Sequence, residues 1–294
     1  MSQYKIVMAV DFYKPAVECF KANFTDADVR LDRVENIKHW PQADIILGGV
    51  PCQPFSTAGR MQQENDDRNG FPAFISAVEK IRPKQFLIEN VNGFWKSKYR
   101  HYVEEQLIDL GYNVDCKTLD SADYGVPQHR RRCWVWGIRN DISVDHKWPA
   151  PQDKWIGIAE ALNKPLEPTF EYINKYPHNP YTKPADPKLP ANPIFSKFHG
   201  KNSDLVMVDA SKNQVYKMTI DDALIIQSVP PTFKWAEKQS KSSKWVIVGN
   251  GWASRMGYHF AKAFKAVDPS CVTVIDLFCG GGLGAAGWHS WSGE

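Results

Sequence analysis

Three polar groups, each bordering an apolar segment, could carry the chemistry of a reactive site. Cys52 lies in "GGVPCQPFSTAGR" (48–60), directly after the strand-like "ADIIL" and flanked by Pro51 and Pro54. A thiol attacks as its thiolate, and a loop at the carboxyl edge of a buried strand is where open α/β sheets bind ligands. Glu89 closes the next apolar run, in "FLIENVNGF" (86–94). Desolvation at the mouth of a sheet favours the protonated carboxyl, which can donate to a ring nitrogen. "YGVPQHRRRCWVWGI" (124–138) then places Gln128, Arg130, Arg131 and Arg132 before another apolar strand. Arg130 and Arg132 alternate, so an extended segment sets both guanidiniums on one side. Such a pair suits a phosphate, a carboxylate or a base carbonyl. Each feature alone has an ordinary structural reading; together, at successive strand ends, they point to one site.

The elements that must position these groups alternate as strands and helices. "YKIVMAV", "ADIILGGV" and "KQFLIEN" read as strands. "KPAVECFKANF", "FPAFISAVEKI" and "SKYRHYVEEQLIDLGY" read as helices, the first with Val17, Phe20 and Phe24 on one face and the last stopping at a glycine. "NVDCKTLD" and "RRCWVWGIR" form a later strand pair. This order predicts an α/β fold with a mostly parallel sheet and helices on both faces. Ten prolines between Trp148 and Ile194 predict a loop-rich insert. Order returns with "MTIDDALIIQSV", a helix opened by Thr219, and "GNGWASRMGYHFAKAFKAV" is expected to be one helix over 249–267. "VTVIDLFCGGGLGAAGW" (272–288) follows, a buried strand running into a glycine turn and a helix.

Composition narrows the class. The chain of 294 residues has 43% hydrophobic and 23% charged residues and a net charge of +3, so any nucleic-acid surface must be local. No apolar run approaches the about 18 residues of a membrane span, and the first residues are too polar for a signal peptide. Cys19, Cys52, Cys116, Cys133, Cys271 and Cys279 form no C-x-x-C pair. A reduced cytoplasmic setting is expected, with neither disulfides nor metal.

"PCQPFS", "ENV" and "QHRRR", in that order, resemble the Pro-Cys-Gln, Glu-Asn-Val and Gln-x-Arg-x-Arg motifs of the C5-cytosine DNA methyltransferases. "DLFCGGG" (276–282) resembles that family's S-adenosylmethionine loop, "AVDFYKPAVECFKANF" its ribose-binding segment and "LDRVENI" the adenine-side acid. "MTIDDALIIQSVPPTFKW" and "GNGWASRMGYHFAKAF" resemble its last two motifs. The likeness covers about 5–140 and 215–288 and implies a Rossmann-like S-adenosylmethionine-dependent fold. It implies a catalytic set of Cys52, Glu89, Arg130 and Arg132, with Cys52 bonding carbon 6 of a flipped-out cytosine. Asp276, Phe278, Gly280, Gly282, Asp11, Phe12, Asp32 and Asn250 would hold the cofactor, and Gln53, Ser56 and Gln128 would contact base or DNA. The implied domains are a catalytic one over 1–147 and 246–294 and a small target-recognition domain over 148–245. The implied setting is a monomer on duplex DNA in a prokaryotic or phage-like cytoplasm, associated with the nucleoid.

Two departures stand out. Leu283 follows Gly282 where the family has a further glycine, so that the turn is short or shifted onto Gly284; Trp252 stands where the family has a small residue and Val. The motif cycle is also opened at an unusual point, because the glycine loop follows the "GN" segment instead of leading the cycle. A circular permutation is expected; folds tolerate such reordering where termini lie close together. Two other functions use the same residues: RNA (tRNA) cytosine methylation, and a weakly active DNA-binding subunit that needs a partner.

Overall fold

The computed structural model describes residues 4–51, 69–163, 170–172, 188–196, 206–209 and 214–289. Cys52, Gln53 and Ser56 lie outside the described residues. So do "NKYPHNPYTK" and "KFHGKNSD" of the insert, which carry candidate Lys, Asn and Tyr contacts to nucleic acid.

Along the chain come β1 (Lys5–Asp11), α1 (Lys14–Asn23), β2 (Asp28–Leu31), β3 (Ile45–Gly48), α2 (Phe71–Ile81) and β4 (Gln85–Val91). Next are α3 (Asn92–Trp95), α4 (Tyr99–Asp109), β5 (Tyr112–Asp120) and β6 (Arg131–Arg139). The insert contributes α5 (Ile158–Ala161), β7 (Phe170–Tyr172), β8 (Val206–Asp209) and β9 (Gln214–Lys217). The chain then forms α6 (Ile220–Ile226), α7 (Lys241–Asn250), α8 (Ser254–Val267), β10 (Thr273–Leu277) and α9 (Leu283–His289).

Seven strands form one sheet in the order β2-β1-β10-β3-β4-β6-β5. The first five run parallel; β6 is antiparallel to β4 and β5 to β6. β10 sits mid-sheet, with Val274 beside both Ile6 and Ile45, and is buried as the apolar "VTVIDL" run led one to expect. Two cores cover the faces, as expected for strands buried on both sides. On one face Phe20, Phe260, Phe264 and Trp288 pack around Val274 and Leu47, with Trp136 stacked on Phe264 at 4.5 Å. On the other, Phe74, Val78, Val103 and Leu107 cover Ile46, Ile88 and Ile275.

Three expectations need correction. The segment 249–267 is two helical pieces: α7 ends at Asn250, and residues 251–253 turn the chain before α8. Gly251 and the extended Ala253 interrupt the pattern that apolar spacing alone suggested. The insert is not only loops, since β7, β8 and β9 pair as a small antiparallel sheet. These strands are three or four residues long, too short to leave a periodic signature amid so many prolines. Third, the glycine turn does not shift onto Gly284. Gly280 and Gly282 take positive φ (54° and 85°), and Gly284 already belongs to α9.

Candidate active site

The sheet topology assembles the site. Parallel strands bring the carboxyl ends of β1, β10, β3 and β4 to one edge. Antiparallel β6 brings its beginning to that same edge, and Arg132 therefore pairs in register with Val91. A carboxylate closing one strand thus meets a guanidinium opening its neighbour. Arg132 Nε lies 2.8 Å from Glu89 Oε1, with Glu89 only 8% exposed. Arg132 also donates to the carbonyl of Arg131 at 2.8 Å. Burial of Glu89 therefore comes with an opposite charge beside it, which a reading of the apolar run alone omits. Asn90, next along β4, donates from Nδ2 to the carbonyl of Val50 at 3.3 Å. Val50 precedes Pro51 and Cys52 in the chain, so the "EN" pair ties the base strand of the thiol's loop to the Glu89 strand. Sequence reasoning gave Asn90 no role; its place in the "ENV" triplet was the available signal.

Gln128 and Arg130 are elsewhere. Arg130 is 3% exposed and donates to the carbonyls of Ile194 at 3.2 Å and Gly249 at 3.0 Å. Gln128 is fully buried, and its Oε1 accepts from the amide of Ile194 at 3.1 Å. The expected pair of guanidiniums on one ligand is not formed. The strand begins at Arg131, and one arginine turns to main chain of the insert while the other faces Glu89. Arg131 turns toward β5 instead, its Nε 3.9 Å from Asp120, with which it pairs in register.

The second half of the site surrounds the glycine turn. Asp11, closing β1, accepts from the amides of Gly280 and Tyr13, each at 2.8 Å. Burial raises its pKa, partly offset by those amides. Asp276, on neighbouring β10, is 6% exposed, and no hydrogen bond reaches its carboxyl among the described residues. Burial, and then the charge of Asp11, pushes its pKa well above the carboxylate range. Cys279 is pushed up by burial and by both acids, which makes it a poor nucleophile. Asp32 follows β2, and its amide donates to the carbonyl of Asp11 at 3.1 Å. Its own carboxyl is lowered by hydrogen bonds from Asn36 and the Arg33 amide. Phe12 projects, 61% exposed, beside Asp11. Phe278 has φ 57°, and its ring tip reaches the space over Gly70, where Pro51 also lies. Asn250 is the exposed last residue of α7.

The two departures from the motifs fit one another. A Cβ on Gly284 would stand 2.9 Å from the Trp252 ring, and one on Gly251 would stand 2.9 Å from Leu283. Each bulky residue lies over the other segment's glycine. The Trp252 indole also approaches Gly49 and meets Trp134 edge-on at 5.1 Å. Trp134 lies opposite Glu89 in the ladder. Trp252 thus touches the segment that leads to the thiol, α9 and the arginine strand.

The fold resembles the crystal structure of a mutant of Spodoptera frugiperda DNMT2, with TM-score 0.67, 18% identity, and coverage of 88% of this chain and 92% of that one. That likeness, with the strand order above, defines an α/β methyltransferase fold built on a mostly parallel mixed sheet. The particular family follows from sequence: the family described as C-5 cytosine-specific DNA methylase matches residues 1–186, and the chain belongs to it. The glycine turn at 276–282 lies outside that match. Among curated relatives, Type II methyltransferase M.FnuDI of Fusobacterium nucleatum is 33% identical over 89% of this chain and 88% of its own length. Type II methyltransferase M.BsuRI of Bacillus subtilis is 33% identical over 51% of this chain. The match spans about a third of that relative's length, 35%.

Family and fold imply S-adenosylmethionine as cofactor, and the residues present fit it. A buried acid, Asp276, and a half-buried one, Asp11, suit a cation and ribose hydroxyls. A Cβ on Gly280 would meet nothing within 4 Å, so the turn borders open space, and Phe12 offers an exposed aromatic face beside it. Among the described residues no group of His, Cys, Asp or Glu is arranged to hold a metal ion.

Proposed function

We propose that the protein methylates carbon 5 of a flipped-out cytosine in a specific duplex DNA sequence, with Cys52 as nucleophile. The observation that carries the reading is the buried Glu89–Arg132 pair at the strand edge where β3 leads toward Cys52. Carbon 5 of cytosine is a weak nucleophile until a bond at carbon 6 makes the ring enamine-like. Cys52 forms that bond as the thiolate. Electron density then moves onto the ring, where Glu89 holds a proton at nitrogen 3 and Arg132 faces the base carbonyl. Loss of the carbon-5 proton re-forms the ring double bond and expels the thiolate. When bound, S-adenosylmethionine supplies the methyl group as an electrophilic sulfonium. Asp11, Asp32, Phe12, Phe278, Asp276, Gly280, Gly282 and Asn250 form its cradle. Gln53 and Ser56 contact the base or DNA backbone. Extruding the base costs about a few kcal/mol of stacking and pairing, supplied by binding the duplex.

We further read the chain as a circular permutation of the family, with the catalytic domain over 1–147 and 246–294 and target recognition over 148–245. The internal order of the motifs and the place of β10 between β1 and β3 support this reading. The family's description favours DNA as substrate, and the enzyme is read as a monomer in a prokaryotic cytoplasm. The test is label transfer from tritiated S-adenosylmethionine to duplex DNA and to tRNA, with Cys52→Ala alongside. Labelled 5-methylcytosine in DNA, lost in the variant, is expected, together with a covalent complex on DNA containing 5-fluorocytosine. Label in tRNA alone, or none, refutes the DNA reading.

A further inference from the structure

The residues 188–196 hold an unusual position in the insert: they are stitched to the catalytic sheet from several directions at once. Ala191 forms a parallel bridge with Gln128. The amide of Ala191 donates to the Pro127 carbonyl at 2.9 Å, and the amide of His129 donates to the Ala191 carbonyl at 2.8 Å. Gln128 accepts from the amide of Ile194, and Arg130 donates to the carbonyl of the same residue. The second arm of Arg130 reaches Gly249 at the end of α7, which precedes Asn250 and Trp252. A Cβ on Gly249 would collide with the backbone of Phe195 and Ser196, so only glycine lets the two segments touch there. Ala191 and Ile194 are fully buried, in a core shared with α6, α7 and α1.

We infer that Gln128 and Arg130 are positioning residues that clamp residues 191–196 to the end of α7, and so fix the frame from which the insert meets its nucleic-acid substrate. This rests on the methyl-transfer reading above. The physical argument is one of partners. A guanidinium carries five donors in a rigid fork, and here two of its arms hold main-chain carbonyls from two different segments. A side chain so engaged is not free to follow a base into and out of a site. Arg132, on the exposed side of the same motif, keeps a carboxylate partner at the site edge. One short motif thereby serves two functions: its last arginine faces the chemistry, and Gln128 and Arg130 join the recognition segment to the cofactor side.

The two positions separate in what they touch. Among the described residues the Gln128 side chain holds only the insert, whereas Arg130 holds the insert and α7. Gln128→Met keeps the volume and removes the bond to Ile194. Arg130→Lys keeps the charge and removes the fork. Hydrogen exchange of the intact protein gives the first readout: amides of 188–196 should exchange faster in both variants, with β4 and β10 unchanged as the control for folding. The second readout is methyl transfer to unmethylated chromosomal DNA. Gln128→Met should raise KM for DNA by about tenfold, the effect of losing one buried hydrogen bond, more than it lowers kcat, with S-adenosylmethionine affinity held within about twofold. Arg130→Lys should weaken both DNA and cofactor. Unchanged exchange at 188–196, or a fall in kcat with KM for DNA unmoved, overturns the inference. A wild-type protein inert on DNA and tRNA refutes methyl transfer instead, and exchange still decides the clamp.

Discussion

Trp252 and Gly284 offer a sharp test of how α9 is seated. The first turn of α9 passes so close to the indole that a Cβ on Gly284 would lie 2.9 Å from Cε3 and 3.0 Å from Cδ2. Carbon atoms in good contact sit about 3.5–4.0 Å apart, so Gly284→Ala must displace either the ring or the helix. The ring has little room, wedged between Gly49 and Trp134. Overpacking of this kind costs about 1–3 kcal/mol. Trp252→Val, the residue the family motif carries nearby, leaves a cavity and is destabilising by itself by about 2–4 kcal/mol. In that background the two ring contacts at position 284 are gone and only the Cβ of residue 252 stays close, at 3.2 Å, a contact that a shift of a few tenths of an ångström relieves; Ala is then favoured over Gly in a helix by about 1 kcal/mol. Gly284→Ala should therefore change sign, harmful beside the native Trp252 and helpful once Trp252→Val has removed the indole. The coupling expected is about 1–3 kcal/mol. Thermal unfolding of the four proteins measures it, each kcal/mol moving Tm by about 2–4 °C in a domain of this size. Additive effects, with Gly284→Ala equally costly in both backgrounds, would refute the interlock.

Other consequences follow from the buried charges. The pKa of Asp276 is raised in the folded state, so its ionisation opposes folding increasingly as pH rises above the unfolded carboxylate value of about 4. Asp276→Asn should raise Tm at neutral pH by an amount that vanishes near pH 4, while weakening S-adenosylmethionine binding; an equal loss of Tm at both pH values would contradict it. Asp268 behaves oppositely. Desolvation works to raise its pKa, but hydrogen bonds from Ser270 and from Lys84, which lies 3.1 Å away, outweigh it and lower the value to about 2. Its contribution is complete above about pH 4 and disappears as pH falls toward 2, on the order of 1 kcal/mol after solvent screening. Asp268→Asn should remove part of the acid sensitivity of the urea midpoint between those limits, and an unchanged pH profile would rule this out.

Much of the architecture was legible because its signals are local. Apolar runs marked most of the sheet strands, though not the short edge strand β2, and capping marked α6, where Thr219 and Asp222 bond reciprocally. The short strands of the insert were hidden by their length, and the break at 251–253 by the regular apolar spacing on either side. The site was legible as a set of residue types but not as a set of contacts. Motif order named Glu89, Arg130 and Arg132 together; only packing kept Glu89 with Arg132 and took Arg130 away.

The sequence by itself determined which side chains lie at the strand ends and what they can do: a thiol, several carboxylates, three arginines and a glycine turn in a recognisable order. That information is covalent and survives any arrangement of the chain. The tertiary structure decided which of them meet. Strand polarity did most of this, because parallel β4 ends where antiparallel β6 begins, bringing Glu89 and Arg132 within 2.8 Å. Side-chain direction did the rest. Arg130 enters the interior to hold Ile194 and Gly249, Gly284 yields to Trp252, and Gly251 to Leu283. Such choices depend on the volume and the unpaired carbonyls that distant segments present, and no local pattern records them.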